Sequence, residues 1–167
     1  AISIGVVTAH NLIGFLATPV AGAAHAVGAA QANQVLAYLT GSRATAGRTL
    51  AVTATEGATI TADVQSDSSA VSAGVIAIAV AGAGVILDNR INALVKAYIA
   101  STTGTGVSAT DNVEIRATDT STITAVARAA SFSASIGLGA AVSVSASSAS
   151  NTITSTVEAY ATSATIA

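Results

Sequence analysis

The side chains that could do acid–base or metal chemistry are few and widely spaced in this 167-residue chain. His10 and His25 are the two histidines, and residues 1–42 contain no acidic side chain. A zinc site needs three or four ligands that converge on one point. A local metal site at either histidine therefore fails the ligand count, and we interpret both as turn or sheet-face residues.

The acidic residues do not show the spacing of a calcium-binding loop. Neither the D-x-D-x-D-G loop nor the Gly-Asp nonapeptide is present. Asp88–Asn89 and Asp111–Asn112 are typical of turns, where short polar side chains cap the backbone, and a weak calcium site there stays open as an alternative. The scattered acids are Asp63, Asp67, Asp88, Asp111, Glu114, Asp119 and Glu158.

Serine is abundant, but the sequence shows nothing that would activate a serine nucleophile. There is no G-x-S-x-G elbow and no His–acid pair. The glycine turn at Gly104–Val107 is not followed by the lysine of a phosphate-binding loop. We therefore expect no enzyme activity and assign no catalytic, cofactor-binding or metal-ligating residue.

The composition excludes several classes of protein. Only 8% of the residues are charged, against roughly 25% in ordinary domains, and no basic cluster supports nucleic-acid binding. The chain is 51% hydrophobic, which argues against disorder. It has no Cys and no Met and starts at Ala1, so we expect a processed chain or a segment of a longer one.

A repeat with a period of about 61 residues organises the chain, and periodicity of this kind decides the architecture. Asn89–Tyr98 reads NRINALVKAY and Asn151–Tyr160 reads NTITSTVEAY, at an offset of 151 − 89 = 62. Tyr38 precedes Tyr98 at an offset of 98 − 38 = 60, and Leu50–Ala62 matches Val113–Ala125 at 113 − 50 = 63. The pattern predicts one repeat array over 1–167, with a partial repeat at 1–40 and repeats at 41–100 and 101–167.

The matched segments have the alternation of β-strands. Leu50, Val52 and Ala54 share one face, and a period of two indicates a strand with one buried face. Glu56 and Asp119 fall in phase with that apolar face, where an unpaired carboxylate is costly. We therefore predict a bend near Glu56–Gly57 and another near Asp119–Thr120.

The partial repeat at 1–40 fits the pattern less well. Ala21–Leu39 can be aligned without gaps on Ala81–Ile99, which predicts strands there. Taken alone, Ala23–Leu36 also has the composition of an alanine-rich helix, which is the alternative.

Ser68–Leu87 is uncharged and as long as a membrane-spanning helix. Its repeat partner, Ser131–Ser150, contains eight serines, so we predict no membrane span. We predict instead a strand pair around a glycine-rich bend at Gly82 and Gly84, and its equivalent at Gly137 and Gly139.

Together these patterns predict an all-β fold, a repetitive parallel β-solenoid (β-helix) built from superrepeats of about 61 residues. Stacked repeats bury faces that one repeat cannot bury alone. Finer periods stay open. Val113–Ile123 matches Val157–Ile166 at an offset of 157 − 113 = 44, and Thr122–Val126 matches Thr152–Val157 at 152 − 122 = 30.

The small-residue alternation, the A-Y turn and the N-x-I signal over residues 41–167 resemble repeats of large bacterial surface proteins. These are the adhesin-like and filamentous-haemagglutinin-like chains. The resemblance implies an extracellular structural or adhesive role at the bacterial cell surface, without catalysis. Bare strand edges pair with other chains, so we expect self-association into a homopolymer, or continuation within a longer chain.

Two rows of side chains could bind a ligand without catalysis. T-x-T pairs on a flat face resemble ice-binding solenoids, although threonine is also a common outward strand residue. The three tyrosines could stack as a ladder, which we interpret as structural; glycan binding is the alternative. The T-x-T pairs are Thr53/Thr55, Thr59/Thr61, Thr122/Thr124 and Thr152/Thr154, and the tyrosines are Tyr38, Tyr98 and Tyr160.

Overall fold

The computed structural model describes the chain except residues 19–25, and the described part is all-β and mostly parallel, with no helix. Small and β-branched residues that alternate in burial account for this preference. The strands are β1 Ile2–Ile13, β2 Phe15–Thr18, β3 Ala26–Ala30, β4 Asn33–Thr40, β5 Ala44–Ala46, β6 Leu50–Glu56, β7 Thr59–Ala100, β8 Val107–Ala109, β9 Val113–Asp119 and β10 Thr122–Thr162.

The main sheet is parallel and is centred on β7. Strands β1 and β4 pair with one edge of β7, and β10 pairs with the other. Residues that match in sequence are neighbours across these pairs: Asn89 lies beside Asn151, and Tyr98 beside Tyr160. The short strands β5 with β8 and β6 with β9 pair in the same parallel sense.

The finer periods do not correspond to strand pairing. Val113 pairs with Leu50, whereas Val157 pairs with Val95. The match between Val113–Ile123 and Val157–Ile166 therefore joins segments that lie on different strand pairs.

The register corrects the predicted alignment of the partial repeat at 1–40. Asn33–Thr40 pairs with Ala93–Ala100 at the expected offset, 93 − 33 = 60, but Ile2–Ile13 pairs with Val80–Ile91 at 80 − 2 = 78. The extra length is looped out as the antiparallel hairpin β2–β3. An ungapped alignment is therefore wrong before Asn33, and Ala21–Ala23 lies outside the described residues. The alanine-rich helix is not formed in the described part of that segment.

Strand β7 folds back on itself into two layers. Ala70 packs against Ala79 and Ala81 in one buried cluster, although nine extended residues would span about 30 Å. Ser66 and Ser68 donate hydrogen bonds across the layers to the carbonyls of Gly5 and Ser3, at 3.1 and 2.8 Å. The first part of β7 therefore covers its second part and β1.

The fold-back of β7 lies between Ala70 and Ala79, earlier in the chain than the predicted bend at Gly82 and Gly84. Gly82 and Gly84 lie inside the second layer, paired with Val144 and Ala146, and they do not form a bend. The β10 equivalent is at Gly137, where φ is 122° and the register shifts between Ile136 and Leu138. The predicted bend at Gly137 is confirmed. Gly139 pairs with Ala77 inside the strand, so the prediction is wrong for Gly139 as it is for Gly82 and Gly84.

The predicted bends beside the two acids are confirmed. Strand β6 ends at Glu56, and β9 ends at Asp119, each followed by a short break before the next strand. The strands that end at Thr40, Ala100 and Thr162 are also followed by similar turns, with positive φ at Gly41 (58°), Ser101 (50°) and Ser163 (48°).

The core consists of small side chains between the two layers. Ala54 of β6 packs against Val95 and Ala97 of β7, with Val35 and Ile115 at the margin. Parallel β structure is thus established, and no closed solenoid is found among the described strands. The described residues also contain no helix long and apolar enough to cross a membrane; Ser68–Leu87 belongs to β7.

Candidate functional site

Several acidic side chains pair with basic side chains of neighbouring segments. Glu158 meets Lys96 at 2.8 Å, Asp63 meets Arg128 at 2.7 Å, and Asp111 meets Arg48 at 3.4 Å. His10 lies beside Asp88, with Nδ1 3.6 Å from Oδ2, while His25 lies outside the described residues. Within the described ranges no three His, Asp or Glu side chains gather into a metal-binding group.

The two predicted Asp–Asn turns have different outcomes. Asp111–Asn112 lies in the connection between β8 and β9, as predicted. Asp88–Asn89 lies inside β7, so that prediction is wrong. Asp88 is held by Arg90 on the outward side at 2.9 Å, and Asn89 is fully buried on the inward side.

Asn89 is the centre of a row of three asparagines. The side-chain amide of Asn11 donates to Oδ1 of Asn89, and the amide of Asn89 donates to Oδ1 of Asn151, both at 2.8 Å. Each bond joins neighbouring strands of the sheet, and a buried polar group needs such a partner. The row therefore ties β1, β7 and β10 into one register.

Sequence reasoning found only two of these three asparagines. The match between Asn89 and Asn151 is visible in the repeated N-x-I signal. Asn11 pairs with Asn89 at an offset of 89 − 11 = 78, which the inserted hairpin conceals. The sequence does carry a signal, because Asn11–Ile13 is itself an N-x-I tripeptide like Asn89–Ile91 and Asn151–Ile153.

The three tyrosines form a stack on the outward face. The rings of Tyr38 and Tyr98 are 5.3 Å apart at 12°, and those of Tyr98 and Tyr160 are 5.2 Å apart at 5°. The predicted ladder is confirmed. Stacking covers both faces of Tyr98, so the outer faces of Tyr38 and Tyr160 are the ones left for an aromatic partner.

Lys96 and Asp119 lie in polar settings that affect their titration. The hydrogen bond from Lys96 to Glu158 raises the pKa of Lys96. Partial burial raises the pKa of Asp119, but hydrogen bonds from Ser121 and Ser155 outweigh that effect and hold it below its ordinary value. Glu56, the equivalent of Asp119, is buried and accepts a bond from Asn33 at 3.2 Å.

The threonines form a smaller array than the sequence predicts. Thr55 lies beside Thr118, Thr59 beside Thr122, and Thr61 beside Thr124, on the outward face of the first layer. Thr53 lies beside Arg116, and Thr152 and Thr154 lie beside Arg90 and Asn92 in the other layer. The array is therefore three rows long and two threonines wide.

The inward face of the last strand, β10, is partly exposed, whereas the inward face of its neighbour β7 is buried. Ile91 and Val95 of β7 are fully buried, whereas their partners in β10, Ile153 and Val157, are each 46% exposed. Within the described chain, β10 pairs with β7 on one edge and presents its other edge unpaired. The β10 end of the sheet is thus an open strand edge with a half-covered inner face.

Searches for related proteins add no further assignment, since no family model, curated protein or solved structure matches the chain.

Proposed function

We propose that this chain is a non-catalytic structural or adhesive segment of an extracellular bacterial filament or giant surface protein. In this proposal it is a parallel β-solenoid of superrepeats of about 61 residues, and it extends by stacking β-strands end to end. The observation that carries the proposal is the in-register pairing of β7 with β10, which places like residues in rows. Solenoids gain stability from such stacking of equivalent positions.

The asparagine row supports end-to-end stacking because it has a direction. Within the described residues, the side-chain N–H groups of Asn151 have no acceptor, and Oδ1 of Asn11 has no donor. A second copy placed with β1 and β4 against β10 matches this donor to this acceptor. The same placement sets Tyr38 of that copy on the exposed face of Tyr160.

Open edges support the same assembly. Unpaired strand edges bind other strands unless charge or proline protects them. The edge of β10 from Leu138 to Thr162 carries one charged residue, Glu158, and that residue is paired with Lys96. The surface location rests on the composition and on the resemblance to bacterial adhesin-like repeats.

Negative-stain microscopy and sedimentation velocity test the proposal. We expect filaments whose length grows with protein concentration. The Asn151→Asp variant keeps the acceptor for Asn89 but replaces the free donor with a negative charge, so it should shorten the filaments at least tenfold. Asn112→Asp, at an exposed turn, is the matched control and should not. Particles of constant size at all concentrations would rule out end-to-end assembly.

Ligand recognition is the second candidate, and the paired threonines favour it. Thr59 and Thr122 place their hydroxyl groups 3.3 Å apart on an exposed face. A regular hydroxyl and methyl array of this kind is a surface for ice, and the outer tyrosine faces are surfaces for glycans. Thermal hysteresis that is lost in Thr59→Lys, or a glycan-array signal lost in Tyr38→Ala, would support this function.

A further inference from the structure

The outer face of the main sheet carries an exposed apolar zone, which we call the outer apolar face. Its side chains point away from the core on three adjacent strands, and each is more than half exposed; Ile4, Ile78 and Val144 are 73%, 59% and 64% exposed. The outer apolar face consists of Ile2, Ile4 and Val6 of β1, Ile76, Ile78 and Ile86 of β7, and Leu138, Val142 and Val144 of β10.

In this zone the outward side chains are larger and more apolar than the inward ones. In β7 the outward residues Ile76 and Ile78 alternate with buried Ala77 and Ala79. In β10 the outward Val144 lies between the inward serines Ser143 and Ser145. A parallel sheet that is covered on both faces has nearly continuous apolar strands, and one that is covered on a single face alternates apolar with polar residues.

The remainder of the same face shows that alternation. From position 88 onward the outward residues of β7 include Asp88, Arg90, Asn92 and Lys96. The change from apolar to polar occurs within one continuous strand, so it is not a general property of this composition. The apolar zone therefore has the sequence of a covered sheet face, and no described residue covers it.

The size of the zone fits a protein interface. Strands β7 and β10 lie side by side from Ile76 to Ile86, and β1 joins them from Val80 onward. At about 4.8 Å per strand and about 3.3 Å per residue, the zone covers roughly 400 Å² of flat area. The accessible area of the protruding side chains is larger. Stable complexes bury about 800 Å² per partner, and the largest apolar patch on a monomer, typically about 300–600 Å², is often functional.

The zone has a groove with ridges of larger side chains beside it. Gly82 and Gly84 leave a shallow track between the rows of Ile4 and Val6 on one side and Val144 on the other. A side chain added at Gly82 would lie 3.8 Å from Ile4. A row of β-branched side chains from a second sheet would fill this track, as in face-to-face sheet packing at about 10 Å.

We propose that the outer apolar face binds the outer apolar face of a second copy of this chain, related by a two-fold axis. This contact joins stacks laterally and does not use the open edge of β10. His10, Asp88 and Arg90 lie at the rim, outside the contact. A lipid surface is disfavoured, because membrane-surface sites combine apolar side chains with Lys, Arg and Trp, and the rim has one Arg, paired with Asp88.

The test is best made in the Asn151→Asp background, in which end-to-end stacking is weakened, and below the concentration at which filaments of that variant form. There we expect sedimentation velocity to give twice the 16.0 kDa mass of one chain at micromolar concentration. Ile78→Lys with Val144→Lys should raise the dimer dissociation constant at least 100-fold. Thr152→Lys with Thr154→Lys places the same two charges on the polar part of the face and should leave the dimer intact.

Far-UV circular dichroism should be the same for both lysine pairs, because all four positions are exposed. A parent protein that stays monomeric even at high micromolar concentration would overturn the inference, as would a dimer that survives Ile78→Lys with Val144→Lys. Co-flotation of the monomer with phosphatidylcholine vesicles, lost in that variant, would assign the face to lipid and overturn it too. Filaments of single width would count against the lateral contact while leaving end-to-end assembly in place.

Discussion

Asn89 and Asn151, which begin two similar sequence segments, are joined by a side-chain hydrogen bond of 2.8 Å across neighbouring strands. Asn89 accepts a second bond of the same length from Asn11, and its side chain is fully buried. Both of its bonds run along the stacking direction of the sheet. This one residue therefore couples three strands that come from distant parts of the chain.

Removing the central asparagine should destabilise the fold more than removing the last one. Asn89→Ala leaves the partly buried amide of Asn11 without an acceptor, which costs about 1–3 kcal/mol. Asn151→Ala acts at an exposed position, where water replaces the lost group, and should cost under about 1 kcal/mol. Urea unfolding followed by circular dichroism measures both, with Asn112→Ala as the control. Equal losses at Asn89 and Asn151 would contradict this account.

Replacing a tyrosine of the stack should destabilise the fold in proportion to the number of rings that the tyrosine contacts. Tyr98 stacks on two rings and Tyr160 on one, and each stacked pair contributes about 0.5–1.5 kcal/mol beyond area burial. Tyr98→Leu should therefore cost about twice as much as Tyr160→Leu in urea unfolding. Near-ultraviolet circular dichroism should show the larger change for Tyr98→Leu, and the idea fails if Tyr160→Leu has the greater effect.

Gly137 should not tolerate a side chain. A Cβ there would clash with the carbonyl oxygen of Gly74, and its φ of 122° is unfavourable for any L residue. We expect Gly137→Ala to lower the free energy of unfolding by more than about 2 kcal/mol. Gly47→Ala is the matched control, since a Cβ at Gly47 meets nothing within 4 Å. A tolerated Gly137→Ala would show that the fold-back lies elsewhere.

Asp119 should contribute stability that is lost in acid. Hydrogen bonds from Ser121 and Ser155 outweigh the effect of burial and hold its pKa below the ordinary value of 3.8. Because the folded pKa is the lower one, the contribution is fully present above the ordinary pKa and is lost as the pH falls through the folded pKa.

The stability difference between the parent protein and Asp119→Asn should therefore shrink as the pH is lowered from about 5 to about 2. Thermal unfolding at several pH values measures it, and Glu114→Gln, at an exposed position of the same strand β9, is the control. A difference that grows on acidification would reverse the sign and refute the assignment.

Much of the strand pairing could be predicted from local matches. Leu50 and Val113 share an alternating pattern, and they do pair across β6 and β9. Asn11 carries a local match too, since Asn11–Ile13 is an N-x-I tripeptide, but a fixed period does not place it beside Asn89. The β2–β3 hairpin gives Asn11 a different offset from β7 than the one that Asn33 has. The bend position also escaped prediction, since a run of Ala and Gly leaves the alternation intact on either side of Gly82.

By itself, the sequence determined that this chain forms parallel-pairing β-strands with a small-residue core, because alternation and periodicity are local properties of the residues. Only the tertiary structure decided which faces are covered. Ile78 and Ala79 are both apolar, and nothing local separates them; the fold-back of β7 buries Ala79 and leaves Ile78 in solvent. Burial depends on which layer lies above a strand, and that follows from where the chain turns back.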